Sequence, residues 1–332
     1  MHNQTSLQII TPKVSVIVPV YNTELYVERA IVSLMEQTLD DVQFIIINDG
    51  SKDNSLAIIK QVIARYPTRQ AQVTLISREN LGVAATRAQG MELATGDYVI
   101  HLDSDDWAEL SWLEIMHNKA VEDDADVVIC DYYTVYKNTK NIFRQEIELT
   151  NIESIRKLLS GGVSNSNCDK LVRRELFVEN SISFHAGYDM GEDFLVTFLV
   201  LLNSRTVSKV DTPLYFYNKT NETSLTKKYT KKSFDDLISI INLLETYLHN
   251  SGNFNAVEFE LNLFKLTAIS LHIIHSSGNS NCINYAFNLY PNANKYIISS
   301  KMKFLKIIYF LHSLRLTFLC KYVVDMWRFK CS

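Results

Sequence analysis

Tyr98-Val99-Ile100-His101-Leu102-Asp103-Ser104-Asp105-Asp106-Trp107 is the stretch whose reading decides the fold. Its first half, Tyr98 to Leu102, reads as a buried strand, and its second half is an acidic loop ending at Trp107. Open α/β sheets bind ligands in the crevice beyond the carboxyl ends of their strands. Acids two residues apart at such an end project into that crevice. Asp103 and Asp105 repel each other at this spacing, so the arrangement calls for a cation. Magnesium and manganese take oxygen ligands and are commonly held by one or two carboxylates plus substrate phosphates. The alternative is a plain strand-to-helix loop whose acids cap the next helix.

The flanking sequence alternates between two periods. Val14 to Val18 is a β-branched strand ending at Pro19, Gln43 to Ile47 a second, Val73 to Ile76 a third, and Asp126 to Cys130 a fifth after Tyr98 to Leu102. Helical spacing separates them: Val27, Ala30, Ile31, Leu34 and Met35; Leu56, Ile59, Val62 and Ile63; Val83 to Ala94; Leu113 to Val121. Near-continuous Val/Ile strands alternating with amphipathic helices predict an α/β fold, a Rossmann-like, mostly parallel sheet flanked by helices. Polar clusters follow the strands at Tyr21-Asn22, Asp49-Gly50-Ser51, Arg78-Glu79-Asn80 and Asp103 to Asp106, and all four should line one sheet edge. Residues 152 to 190 read as mixed and loop-rich. Phe194 to Leu202, Phe234 to Leu248 and Val257 to Ile274 read as helices, and Leu214 to Tyr217 as a strand. The expected division is 1–225 for the sheet domain and 226–332 for a helical C-terminal region.

The 332 residues, 47% hydrophobic and 21% charged, describe a folded globular chain. A net charge of -4 argues against a nucleic-acid partner. Five scattered cysteines, none in a C-x-x-C pair, suit a reducing cytosol and provide neither a disulfide framework nor a zinc site. Met1 to Pro12 does not read as a signal peptide, so the expected location is cytoplasmic. From Lys295 onward eight lysines and arginines face one acid, Asp325, which points to a local anionic partner.

No P-loop or dinucleotide fingerprint follows the first strand. The turn there is Pro19-Val20-Tyr21-Asn22. Tyr21 could stack on a base or be a core aromatic. Asp49 could accept the imide N–H of uracil, or Asp49-Gly50-Ser51 could be an ordinary turn. Asp193 opens an amphipathic helix, where an acid complements the helix dipole. A carboxylate there could equally serve as the base of an inverting displacement. His101 and His185 are assigned no role.

Taken together, "VSVIVPVYN", "IIINDGSKDNS", "ENLGVAATRAQG", "ATGDYVIHLDSDDW" and "GEDF" resemble the family-two inverting glycosyltransferases of GT-A fold, over roughly residues 13 to 225. The resemblance implies a nucleotide-sugar site formed by Pro19, Tyr21, Asn22, Asp49, Asn80, Gly82, Arg87, Asp103 and Ser104. Tyr21 would stack on the base, Asp49 bind it, and Asp103 lie near the ribose. Asp105 would bind Mn2+ or Mg2+, and Asp193 would be the catalytic base. Lys170, Glu192, Tyr217, Ser224 and Thr226 would lie on the substrate side. Asn218 stands where the family commonly has Arg, and Ala88 where it has Asn. The implied reaction moves a hexose or N-acetylhexosamine from a UDP-sugar to a glycan or lipid-linked acceptor with inversion, in lipopolysaccharide, O-antigen or capsule synthesis. A catalytically silent scaffold and a sugar nucleotidyltransferase are the alternatives.

The segment from Lys301 to Lys330 is apolar but interrupted by Lys306 and Arg315, so it does not read as a span. It reads either as an amphipathic helix on an anionic membrane surface, making the protein peripheral on the inner face of the cell membrane, or as a core helix capped by surface lysines.

Overall fold

The computed structural model describes residues 11–147, 150–185, 187–188, 190–222 and 229–331, with backbone alone for 329–331. The chain divides into two compact units. One comprises Met1–Asn151, Ser164–Gly187 and Glu192–Thr223, the other Ile152–Val163, Tyr188–Gly191 and Ser224–Ser332.

In the first unit the chain runs β1 (Val14–Val20), α1 (Val27–Met35), β2 (Val42–Asp49), α2 (Ser55–Arg65), β3 (Val73–Arg78), α3 (Val83–Leu93), β4 (Tyr98–His101) and β5 (Trp107–Ala108). It continues with α4 (Trp112–Glu122), β6 (Val127–Val135) and β7 (Lys140–Phe143). After α5 (Asn151–Ser160), which lies almost wholly in the second unit, come β8 (Lys170–Arg173), α6 (Arg174–Glu179), α7 (Glu192–Asn203) and β9 (Val207–Asn218). The sheet order is β3-β2-β1-β4-β8-β6-β9-β5, with β7 on the flank of β6. The first four strands pair in parallel: Val14 lies beside Val42 on one side and Tyr98 on the other. Both faces of this half are covered, as its Val/Ile strands require. α1 turns Val27, Ala30, Ile31, Leu34 and Met35 onto Val14, Val16, Val18, Phe44 and Ile46. The opposite face, Ile17, Ile45, Ile47 and Val99, packs on Ala94 with Met91 and Leu93.

Beyond β4 the pairings mix. β8 is antiparallel to β4 and to β6, whereas β9 is parallel to β6, with register shifts around Asp131. β5 then pairs antiparallel with β9, Trp107 opposite Phe216. This pairing carries the end of β9 alongside the acidic loop.

In the second unit α5 is accompanied by α8 (Lys231–Asn250), α9 (Phe254–His275), α10 (Ser280–Leu289), α11 (Lys303–Ser313) and α12 (Cys320–Cys331). α8 starts in a capping box: Thr230 Oγ1 accepts from Ser233 N (3.1 Å) and Ser233 Oγ from Thr230 N (3.2 Å). The C-terminal segment is not one helix. It breaks after Ser313, where Arg315 takes φ +62°, and a short 3-10 turn at Thr317–Leu319 leads into α12. Phe304, Leu305, Ile308, Cys320 and Val324 are buried in one cluster with Leu266, Ile273 and Phe287 of α9 and α10. Among the described residues no helix is long and apolar enough to cross a membrane.

Candidate active site

The four polar clusters meet at the carboxyl edge of the parallel strands, tied by hydrogen bonds. Asn22, at φ +52°, accepts from Lys52 N (2.8 Å), and its own N–H goes to Ser51 Oγ (3.0 Å). Thr23 Oγ1 donates to Ser104 Oγ (3.1 Å), joining the first turn to the acidic loop. Pro19 is buried within β1. Tyr21 is 50% exposed, so it is not a core aromatic, and its ring is accessible at this edge.

Asp49 is nearly closed off. Its carboxylate accepts from Leu81 N (3.0 Å) and Gly82 N (2.8 Å) and pairs with Arg78 (3.1 Å). Asn80 Nδ2 bonds the Asp49 carbonyl (2.9 Å). Asp49 therefore brackets the loop from Asn80 to Gly82, which is more than an ordinary turn does. A carboxylate offers about four lone-pair sites, which leaves room for one further donor. Gly50 makes the bracket possible: it sits at φ +75°, and a Cβ there would lie 2.7 Å from Asn80 N.

The acids of the 103–106 loop have separate jobs. Asp106 is buried and accepts from Tyr215 Oη (2.6 Å) and Asn218 N (2.7 Å), which anchors the loop to β9. Burial, and then the charges of Asp105 and Asp103, push its carboxyl well above the usual range. Asn218 Nδ2 also holds the Asp105 carbonyl (3.0 Å). The asparagine in the family's arginine position thus positions the loop. Asp105 accepts from Asn221 Nδ2 (2.8 Å), and burial followed by repulsion from Asp103 raises its carboxyl. Two carboxylates under mutual repulsion form an all-oxygen donor set that fits a hard divalent cation. Among the described residues no group of three or more His, Cys, Asp or Glu could hold a metal alone, so substrate oxygens would complete the coordination.

Arg87 draws the third acid in. It is buried on α3, with one Nη on Asp103 Oδ1 (2.9 Å) and the other on Asp193 Oδ1 and, at 3.6 Å, on Glu192 Oε1. Burial works against its charge, but Asp193 and Asp103 outweigh it and hold the guanidinium firmly protonated. Asp193 also accepts from Asn167 Nδ2 (2.9 Å) and keeps 27% of its side chain exposed. Burial raises its carboxyl, with Arg87 opposing the rise. Glu192 is pushed up to about 7, first by burial and then by the charge of Asp193. His101 is buried against Phe184 with neither ring nitrogen partnered; burial, then Arg87, holds it neutral.

The Glu192 shift has a measurable consequence. In the unfolded chain this carboxyl loses its proton near 4.5, in the folded chain near 7. Ionisation therefore costs stability only in the folded state: nothing below pH 4.5, an increasing amount between 4.5 and 7, and a constant amount above. Glu192→Gln is expected to be more stable than the parent at pH 8, by about 3 kcal/mol at most. The gain should disappear by pH 4 in paired urea titrations. An equal difference at both pH values would contradict the raised carboxyl.

Lys170, expected on the substrate side, is 1% exposed, and its ammonium donates to the carbonyls of Ser164 (2.7 Å) and Ser166 (2.7 Å) and to Asp169 Oδ1 (2.6 Å). All three protons are committed, so Lys170 braces the segment carrying Asn167. Tyr217 is half-buried and accepts from Lys219 Nζ (2.9 Å). Ser224 and Thr226 lie outside the described residues. Tyr215 and Asn221 are not singled out by the sequence as site residues. Asn167 opens the Asn167-Cys168-Asp169-Lys170-Leu171 segment, which resembles the family's acceptor-side segment, whereas Asn221 shows in the sequence only as part of an Asn-x-Thr match.

Known proteins resemble this chain in sequence and in fold. Residues 15–180 match the family described as Glycosyl transferase family 2. The chain is 33% identical to EpsH of Bacillus subtilis, over 76% of this chain and 74% of that one. It is 31% identical to the cholesterol galactosyltransferase of Borreliella burgdorferi, over 76% and 71%. Its structure is similar to that of S. aureus TarS 1-349 in complex with UDP-GlcNAc, with TM-score 0.71 and 20% identity over 95% of this chain and 91% of that one. At that identity the likeness speaks for the fold, which is GT-A. With its sheet order, its acidic loop beyond β4 and relatives of this similarity, the chain belongs to glycosyl transferase family 2.

Proposed function

We propose that this glycosyltransferase moves a hexose or N-acetylhexosamine from a UDP-sugar to a glycan or lipid-linked acceptor with inversion, giving a β-linkage, in assembly of a bacterial surface polysaccharide such as lipopolysaccharide, O-antigen or capsule. The observation that carries this reading is the single guanidinium of Arg87 spanning Asp103 and Asp193. It puts a donor-side acid and a candidate base within one side chain's reach. Tyr21 stacks on the base, and Asp49 uses its remaining lone pair for the uracil imide. Asp105 holds Mn2+ or Mg2+, which when bound neutralises charge on the departing diphosphate. Asp193, oriented by Asn167 and Arg87, takes the proton of the acceptor hydroxyl on the face opposite the leaving group. The TarS complex with UDP-GlcNAc and the cholesterol galactosyltransferase relative support a UDP-sugar donor and a lipid-side acceptor. The protein works peripherally on the cytoplasmic face of the membrane, where such acceptors are presented.

The base pocket is tested by thermal shift in manganese. A ligand that binds only the folded state raises Tm with the logarithm of its concentration. UDP is expected to give the largest rise among UDP, GDP and dTDP. A rise with GDP and none with UDP would remove Tyr21 and Asp49 from the base site.

A further inference from the structure

The C-terminal helices have an apolar surface that the core does not use. On α11 and at its C-cap, Ile307, Phe310 and Leu314 recur at steps of three and four, and from the 3-10 turn into α12 Phe318, Tyr322 and Met326 recur at steps of four. Each of the six is at least half exposed. α11 and α12 present their other faces, Phe304, Leu305, Ile308, Cys320 and Val324, to one buried cluster, so both outer rows turn away from it. Single exposed apolar residues are ordinary, but two rows of large ones on consecutive helices are not. Lys301, Lys303, Arg315 and Lys321 stand exposed among them, and Asp325 is the one acid between residues 295 and 328.

We propose that the outer faces of α11 and α12 are a docking surface for an anionic lipid bilayer. The apolar side chains enter the headgroup boundary and the cations meet acidic headgroups. Charge selects this occupant over a second copy of the chain. A two-fold contact would set this face against its own copy, which offers its cations one acid, Asp325, whereas an anionic leaflet neutralises them. The inference rests on the membrane-side reading above and specifies the surface that serves it. It also changes how that reading is tested: deleting the tail would remove Phe304, Leu305 and Ile308 from the core, so the surface must be altered within the full chain.

The experiment is sedimentation with vesicles of phosphatidylglycerol and phosphatidylcholine, compared with phosphatidylcholine alone. The full chain should pellet with the anionic vesicles and be released by salt. Each cation at such a surface contributes roughly five-fold in affinity, so Lys301→Glu/Lys303→Glu/Lys321→Glu, which also adds three repelled anions, should bind at least about a hundred-fold more weakly. Phe310→Ser/Phe318→Ser/Tyr322→Ser should bind at least ten-fold more weakly. Both variants should keep the parental Tm and the parental thermal shift with UDP and manganese, which separates loss of docking from loss of the donor site. Parent-like vesicle binding by both variants, or no binding of the parent to anionic vesicles, overturns the proposal. So does a concentration-dependent dimer in sedimentation velocity that the same substitutions dissolve, because the face then belongs to a second copy. In each overturning case an intact UDP shift leaves the donor reading standing.

Discussion

Asp193→Asn is expected to bind UDP-sugar as the parent does and to lose transfer by roughly 10²- to 10⁴-fold, the usual contribution of a positioned general base. The substitution is nearly isosteric, and its amide oxygen can still face Arg87 and Asn167, the two partners of the carboxylate. Arg87 keeps Asp103 as its counter-charge, so the fold and the donor loop should survive. What disappears is the basic lone pair. The effect should fall on kcat/KM for the acceptor, with the UDP thermal shift unchanged. An Asp193→Asn enzyme with parental turnover would take the base role away from this residue.

Asp105→Asn is expected to abolish the manganese-dependent part of UDP binding while leaving the apo protein at least as stable as the parent. The two effects share one cause. Asp105 is a half-buried carboxylate repelled by Asp103, a cost in the empty protein that a divalent cation offsets. Neutralising the side chain relieves the repulsion, and the amide oxygen can still accept from Asn221. Without the charge, manganese should no longer raise the UDP-induced Tm shift. A parental manganese effect in Asp105→Asn would place the cation elsewhere or remove it from the account.

The parallel half of the sheet is legible because β1 and β2 are β-branched runs closed by Pro19-Val20-Tyr21 and Asn48-Asp49-Gly50. Buried on both faces, such strands need no alternation. β8 is not legible. Four residues, two of them Lys170 and Arg173, show neither period, and they become a strand because β4 and β6 offer pairing on either side. The break between α11 and α12 is hidden too, since Leu314 to Leu319 keeps an apolar, helix-like composition and the interruption lies in the backbone at Arg315. The inner face of the tail is core, and its outer face carries exposed aromatic and basic side chains.

In the site, the acids show in the sequence by type and position, but their division of labour does not. Asp103, Asp105 and Asp106 look alike on paper. Tyr215 and Asn218, more than a hundred residues downstream, make Asp106 an anchor. Asn221 carries no periodicity or motif chemistry, and only the folded chain brings it to Asp105 and Asn167 to Asp193. Nor does the sequence show that the Lys170 ammonium donates to Ser164, Ser166 and Asp169.

The central claim, inverting transfer from a UDP-sugar at the Arg87-linked acids, needs no knowledge of the acceptor to be tested, since water can replace it slowly. The measurement is proton NMR of the protein with UDP-glucose, UDP-galactose and their N-acetylated forms in manganese, recorded before the released sugar equilibrates. The donor consumed is expected to yield the β-anomer first, with its large anomeric coupling, and Asp193→Asn to yield almost none. An α-anomer appearing first would contradict it.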